Sequence, residues 1–446
     1  MTKIARSTGF VKRIGELHPC EFLYSLLISA VNGHGETLSG LLDIAQSTVS
    51  RTALHKRFNE ASVEFMQAVL GKVLQQLWRP SRCAEGKGIL KKFKRVVIHD
   101  SSGWNLRDGL GELFPGSGGK GSSAGCKLQL GFDILSGLFQ DITLTSGKKS
   151  DQGHSKYLVD NAKARDLWLF DLGYFALRTL EKFEELGAYF LCKLFPGVGL
   201  FEERNGKLVS IDIIKVLRKV DKQGLDCFET RVLLGTNNLC VRLIAEKLPE
   251  EEKRRRIQKL KKGRARSGRT NKGRTLSTRS RVMAGWNLYI TNASAGMLPA
   301  RSVGSLYRVR WSIELVFKQL KSLLKLHKSN HENQYRLACE IYAKLIVAAL
   351  TLVSHARLQN ALDPKLKKEL SIEKMFKTLQ RRSQAFKDFL YRGVTSATKF
   401  LLEFYQTVIA RCTKERSPKK PTTLQRLDFA TKKRRKFENL GLRAYA

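Results

Sequence analysis

Between residues 91 and 195, short apolar runs alternate with turns and helix-like stretches in an order that leaves few folds open. Arg95-Val96-Val97-Ile98 is a β-branched run ending at His99-Asp100-Ser101-Ser102. Residues 128–134 and 138–144 read as two more strands joined by Ser136-Gly137, a hairpin signal. Residues 155–164 read as a helix, and Leu167-Trp168-Leu169-Phe170 as a buried strand ending at Asp171-Leu172-Gly173-Tyr174-Phe175. An amphipathic helix at 177–186 and a fifth strand at 188–194 follow. Strands in hairpin order, then strands joined by helical crossovers, require a mixed sheet of the α/β class.

Three antiparallel strands followed by two with helical crossovers is the order of ribonuclease-H-like folds. Residues 1–90 read as helical. An apolar run at 22–31 meets the turn Asn32-Gly33-His34-Gly35, and two short helical units at 38–45 and 48–58 flank Gln46-Ser47. Those two units fit either a helix-turn-helix with a basic second helix or an ordinary helical bundle. From 196 to 290 the pattern continues in strands at 207–214, 227–234, 241–246 and 286–291. Between them, residues 253–281 carry Lys or Arg at about half their positions and no acid, and their Gly, Ser and Thr content predicts a mobile basic loop. Helices are expected at 302–328 and 331–360, followed by a basic helical tail that includes Lys432-Lys433-Arg434-Arg435-Lys436. The expected domains are 1–90, a helical region; 91–195, the first part of the α/β core; 196–295, a β-rich insertion with the basic loop; 296–360, the second part of the core; and 361–446, a basic helical C-terminal region.

Charge narrows the partner. Lys and Arg number 81 against 40 Asp and Glu, a formal net charge of +41. Such an excess costs stability through self-repulsion, and a polyanion is the economical reason to carry it. A membrane surface fits less well. The chain opens Met-Thr-Lys-Ile-Ala-Arg without a signal-peptide apolar run, and the best apolar stretch, 345–353, is too short to span a bilayer. Eight cysteines are scattered without a C-x-x-C pair, so zinc-finger spacing is absent and a reduced intracellular compartment is expected.

The chemistry gathers around Tyr307-Arg308-Val309-Arg310-Trp311-Ser312-Ile313-Glu314 and on to Lys321. On one continuous helix at roughly 100° per residue, Tyr307, Arg310, Glu314 and Lys321 fall within about 60° of one another. Val309, Ile313, Val316, Leu320 and Leu323 take the opposite side. A lone carboxylate among cations suits a metal beside a phosphate backbone, although a surface helix with an internal ion pair fits the same stripe. Asp100 and Asp171 each close a hydrophobic strand, where an aspartate either caps a turn or serves chemistry. Taken with Glu314 they form three carboxylates in a chain short of acids. Aspartates on neighbouring strand ends can share divalent cations through hard oxygen ligands.

These residues resemble the DDE transposases of bacterial insertion sequences, in the cut-and-paste group marked by a Y-x2-R-x3-E-x6-K signature. Tyr307, Arg310, Glu314 and Lys321 complete that signature in register. His99-Asp100-Ser101-Ser102 is similar to the family's first strand-end acid, and Phe170-Asp171-Leu172-Gly173-Tyr174-Phe175 to its second. The family interrupts a ribonuclease-H-like core with a β-rich insertion between second and third acids, as the long interval here allows. The resemblance implies that Asp100, Asp171 and Glu314 bind two Mg²⁺ ions, or Mn²⁺ in their place, for strand cleavage and strand transfer. It implies that Tyr307, Arg310 and Lys321 contact phosphates of double-stranded DNA at the terminal inverted repeats. Trp286 sits where the family holds a flipped base during hairpin formation; a plain core tryptophan fits that position equally. The expected partners are transposon-end and target DNA and a second copy in a homodimer on the DNA, with no membrane, in a bacterial cytoplasm at the nucleoid. The alternatives are a related nuclease and a domesticated, catalytically inactive DNA-binding protein.

Overall fold

The computed structural model describes residues 1–414 apart from 14, 34, 78–87, 118–121, 236, 267–275, 327–330, 363–368 and 392–393. Part of the 253–281 loop, the end of the helix expected to 328, Cys83 and the basic cluster at 432–436 thus lie outside the described residues. Among the described residues the strands are β1 (Val96–Asn105), β2 (Gly125–Asp133), β3 (Leu138–Ser146), β4 (Leu167–Phe170), β5 (Tyr189–Lys193), β6 (Leu200–Arg204), β7 (Lys207–Ser210), β8 (Cys227–Leu234), β9 (Leu239–Lys247) and β10 (Trp286–Thr291). Their order is β3-β2-β1-β4-β5-β10-β9-β8-β6-β7. β2 and β3 pair antiparallel, while β1, β4 and β5 pair parallel. The first five strands thus keep the ribonuclease-H-like order, and the strands of the insertion extend the same sheet through the antiparallel pairs of β10 with β5 and β9.

The chain divides into two compact units. The first is built from described residues within Met1–Ala84, Asp100–Lys149 and Ile313–Pro418, the second from those within Glu85–His99 and Ser150–Ser312. The division falls inside β1, between His99 and Asp100.

The first unit opens with α1 (Thr2–Ser7), α2 (Pro19–Asn32), α3 (Leu38–Ala45), α4 (Arg51–Arg57) and α5 (Glu60–Leu77). α2 starts from a capping box made by His18 and Glu21, and α3 from the hydroxyl of Thr37. Gln46 ends α3 in the left-handed region, and Ser50 caps α4, whose Arg51, His55 and Lys56 are exposed. A buried aromatic cluster of Phe10, Phe22, Phe58 and Phe65 ties α2 and α5 to the segment after α1 and to the residue that follows α4.

The second unit adds α6 (Asp151–Asn161), α7 (Leu177–Glu185), α8 (Ile213–Lys222), α9 (Glu250–Arg266), α10 (Thr278–Ala284) and α11 (Ala300–Val309). Trp168, Phe170, Phe183, Phe190, Leu217, Leu243 and Ile290 are among the fully buried members of its core. Each such side chain contributes roughly 1.5–3 kcal/mol by leaving water. The first unit closes with α12 (Ser312–Leu323), α13 (Gln334–Ala361), α14 (Ile372–Arg381), α15 (Ser383–Tyr391) and α16 (Val394–Arg411). α13 is long and apolar enough to cross a membrane, yet most of it is buried inside the first unit as a core helix.

Three expectations are corrected. The 253–281 segment is not a loop over its first half, because α9 runs to Arg266. Glu250, Glu251 and Glu252 complement its N-terminal dipole, and Lys253, Arg254, Arg255 and Arg256 pair with Glu250 and Glu252 one turn away. The strand expected at 207–214 stops at Ser210. The Asp212 carboxylate then caps α8 by accepting from Ile214 and Lys215. The signature segment is not one helix. α11 ends at Val309, and Arg310 and Trp311 donate their amides three residues back to Tyr307 and Arg308 before α12 begins. The tighter turn interrupts the helical ladder, so a single angular phase does not relate the four signature residues.

Candidate active site

In the second unit, β4 is buried at every position, so the point where the chain leaves the sheet is fixed by the core. Asp171 follows at once, and an aspartate there would ordinarily cap the next turn. It does not: the turn Leu172–Tyr174 receives no cap bond from its side chain. Instead Asp171 Oδ1 lies 3.4 Å from the Tyr307 hydroxyl, which also lies 3.3 Å from the carbonyl oxygen of Phe170. One O–H proton is thus divided between two acceptors, leaving the carboxylate with most of its acceptor capacity.

Tyr307 comes from the last turn of α11 and is only 6% exposed. Burial pushes its phenol far above the usual range, with Arg310 opposing, so it remains a neutral donor. The Arg310 guanidinium carbon stands 5.8 Å from the centroid of the Tyr307 ring, within cation–π reach. The fold of the second unit therefore brings Asp171, Tyr307 and Arg310 together.

The first unit holds the other three expected residues. Asp100 is half-buried on β1, and its Oδ1 accepts from the Ser101 amide at 2.8 Å. Glu314 is exposed in the first turn of α12, where the helix dipole favours a carboxylate. Lys321, about two helical turns further on, donates from Nζ to the Gly103 carbonyl at 3.0 Å and stands 5.6 Å from the Trp104 ring centroid. Burial lowers its pKa. Gly103 and Trp104 follow Asp100 on the same strand, so Lys321 is tied to the strand that carries the first acid.

Each of the three expected acids presents the kind of ligand that Mg²⁺ or Mn²⁺ takes. All three acids offer hard carboxylate oxygens, none is fully buried, and Asp171 is not consumed by a cap. Trp286 is different. It is 5% exposed, belongs to the hydrophobic core, and its carbonyl accepts from Arg256. Two residues were missed at the sequence level. Trp311, between Arg310 and Glu314, is 57% exposed and offers an open aromatic face. Lys193 closes β5, and its Nζ stands 5.7 Å from the Tyr307 ring centroid. An exposed tryptophan beside a signature arginine, and a lysine ending an apolar strand, were the available signals.

A sequence profile described as a transposase DDE domain matches residues 91–350, more than half of the chain. A transposase for insertion sequence element IS231B from Bacillus thuringiensis subsp. berliner is 28% identical over 91% of this chain and 87% of its own length. One for IS231F from Bacillus thuringiensis subsp. israelensis is 30% identical over 77% and 73%. One for IS1151 from Clostridium perfringens is 31% identical over 79% and 76%. Among solved structures, a piggyBac transposase synaptic complex with hairpin DNA aligns at a TM-score of 0.41 and 12% identity, covering 94% of this chain and 82% of that one, which is too loose to carry an argument. The sequence matches decide the question: the chain belongs to the DDE transposases, with relatives among insertion-sequence elements.

Proposed function

We propose that this transposase binds the terminal inverted repeats of its own insertion sequence and catalyses metal-dependent cleavage and strand transfer of double-stranded DNA. The observation that carries the reading is the Asp171 carboxylate, left without a cap bond at the end of a buried strand and met by the signature residue Tyr307. Asp100, Asp171 and Glu314 would hold two Mg²⁺ ions. Bound there, such ions activate a water or a 3′-hydroxyl and stabilise the leaving oxygen of an in-line displacement at phosphorus.

The chain's own residues then have simple tasks. Tyr307 keeps Asp171 oriented with a neutral hydroxyl. Arg310 and Lys321 neutralise backbone phosphates, which positions the DNA without reading its sequence. The helical region 1–90 recognises the repeat, with the exposed cations of α4 toward the duplex. The 361–446 region pairs two copies on the DNA, at the nucleoid of a bacterial cytoplasm. For the base held during hairpin formation, the resemblance supplies Trp286, whose covering residues would have to part, while Trp311 offers its face already exposed.

The test is cleavage of inverted-repeat DNA in Mg²⁺ beside gel-shift binding of the same DNA. Alanine at Asp100, Asp171 or Glu314 should abolish cleavage and spare binding, and retained cleavage would remove that residue from the site. Trp286→Ala should spare nicking and slow the hairpin step by about tenfold to a hundredfold, as expected for a lost stacking energy of roughly 1–3 kcal/mol. If both steps fall together with the melting temperature, Trp286 is a core residue and the stacking role passes to Trp311.

A further inference from the structure

The end of β5 carries a cation that the signature does not include. β4 and β5 run parallel, with Leu169 opposite Leu191. Continuing that register by two residues sets Lys193 level with Asp171. From the other side, β10 pairs Tyr289 with Lys193, and the Tyr289 ring lies 5.2 Å from that of Tyr307. Lys193 and Arg310 thus both stand over the Tyr307 ring, at 5.7 and 5.8 Å, around the acid that its hydroxyl meets. Yet among the described residues the ammonium of Lys193 makes no ion pair with a carboxylate, whereas Lys182, Lys247 and Lys253 of the same unit each have one. Lys193 is half-buried as well, so it forfeits hydration without a direct ion pair to offset the loss. Its pKa is lowered chiefly by burial, with Asp171 acting against the fall. An under-compensated, partly dehydrated cation beside Arg310 is electrostatically suited to an incoming anion.

We propose that Lys193 is a further phosphate-binding residue of this transposase, receiving together with Arg310 a backbone phosphate of the DNA strand presented to Asp171. Its ammonium stands over the Tyr307 ring, so it is positioned before the DNA arrives, and phosphate binding adds the direct ionic partner it lacks. Arg310 supplies a planar fork and Lys193 a point charge, so the two address different oxygens of one phosphate or two adjacent phosphates. This inference rests on the reading that the chain cuts DNA, and the experiment separates the two.

Wild type, Lys193→Met and Lys193→Arg are compared for binding of inverted-repeat DNA across a salt series, for first-strand cleavage in Mg²⁺, and for melting temperature. Met keeps the stem over the ring and removes the charge; Arg keeps the charge. The expected result for Lys193→Met is a melting temperature near wild type, a salt slope flatter by roughly one unit, and cleavage down by about tenfold to a hundredfold. Lys193→Arg should restore the slope and most of the cleavage. The proposal is overturned if Lys193→Met leaves slope and cleavage at wild-type values. It is also overturned if both variants lose stability and activity alike with the slope unchanged, since the lysine is then a packing element. Absence of cleavage by the wild type would instead sink the proposed function, while the salt slope would still report whether Lys193 meets phosphate.

Discussion

β4 is bracketed by two aspartates that look alike in sequence and live differently. Asp166, just before the strand, is 1% exposed. It accepts from Arg95 Nε at 2.9 Å through Oδ1, while Oδ2 takes the Arg95 Nη2 bond and the amide of Lys163 at 2.8 Å. Asp171, just after the strand, is half-buried, caps nothing and has a tyrosine hydroxyl at 3.4 Å. One end of the strand is a closed ion pair that positions β1 beside β4. The other is a carboxylate with spare acceptor capacity among cations. The difference is that Asp166 is saturated by its partners, as a structural acid is, whereas Asp171 keeps the spare acceptor capacity that the proposed chemistry would need.

Three measurements can break or sharpen that contrast. The largest effect is expected from Asp171→Ala: cleavage should fall on the order of a thousandfold or more, with the melting temperature shifted by a few degrees at most. A variant that melts far below wild type would put Asp171 in the structural class. Next comes Asp166→Ala, which leaves Arg95 buried without its partner and should cost about 3–5 kcal/mol in denaturant unfolding. Cleavage measured well below the melting temperature should persist. Replacing Arg95 and Asp166 together by leucine should recover much of that loss, and a double variant as unstable as the single would show that the pair does more than neutralise itself. The smallest effect belongs to Tyr307→Phe. Removing a long, shared hydrogen bond is worth about 0.5–1.5 kcal/mol, so cleavage should drop several-fold with stability unchanged. A loss as large as that of Asp171→Ala would mean that the hydroxyl takes part in the chemistry rather than in orienting the acid.

Much of the sheet was legible because its strands announce themselves locally. Residues 227–234 and 286–291 are rich in apolar, aromatic and β-branched residues and are bounded by Asp, Gly or Asn, and β8 and β10 have those bounds. β6 was overlooked although Asn205-Gly206, both with positive φ, is a strong two-residue hairpin signal between it and β7. α8 was hidden because Ile211 to Ile214 looked like the continuation of a strand, when Asp212 was a helix cap. The interruption at Arg310 and Trp311 left little trace, since neither Gly nor Pro stands there and the weaker helix formers around it, Val309, Trp311 and Ser312, are common inside helices. At the candidate site, the strand-end position of Asp171 could be read from its flanking residues. The place of Lys193 beside it could not, because register between β4 and β5 is set by a core that no short stretch of sequence reveals.

The helix at Glu250–Arg266 changes what a run of cations costs to use. A loose basic segment that settles on DNA surrenders backbone freedom worth about 1–2 kcal/mol per residue at the moment of contact. α9 surrenders it during folding. Arg254, Arg255, Lys259, Lys261 and Lys262 are exposed along it. Arg254 and Arg255 pair with Glu250 and Glu252, which leaves Lys259, Lys261 and Lys262 as exposed cations outside those pairs. At a rise of about 1.5 Å per residue these are three charges within about 6 Å of helix, against one phosphate charge per about 1.7 Å of duplex. Such a rod would meet a polyanion with its cations already set in place, so any contribution it makes to association should arise mainly from released counterions and carry little ordering penalty.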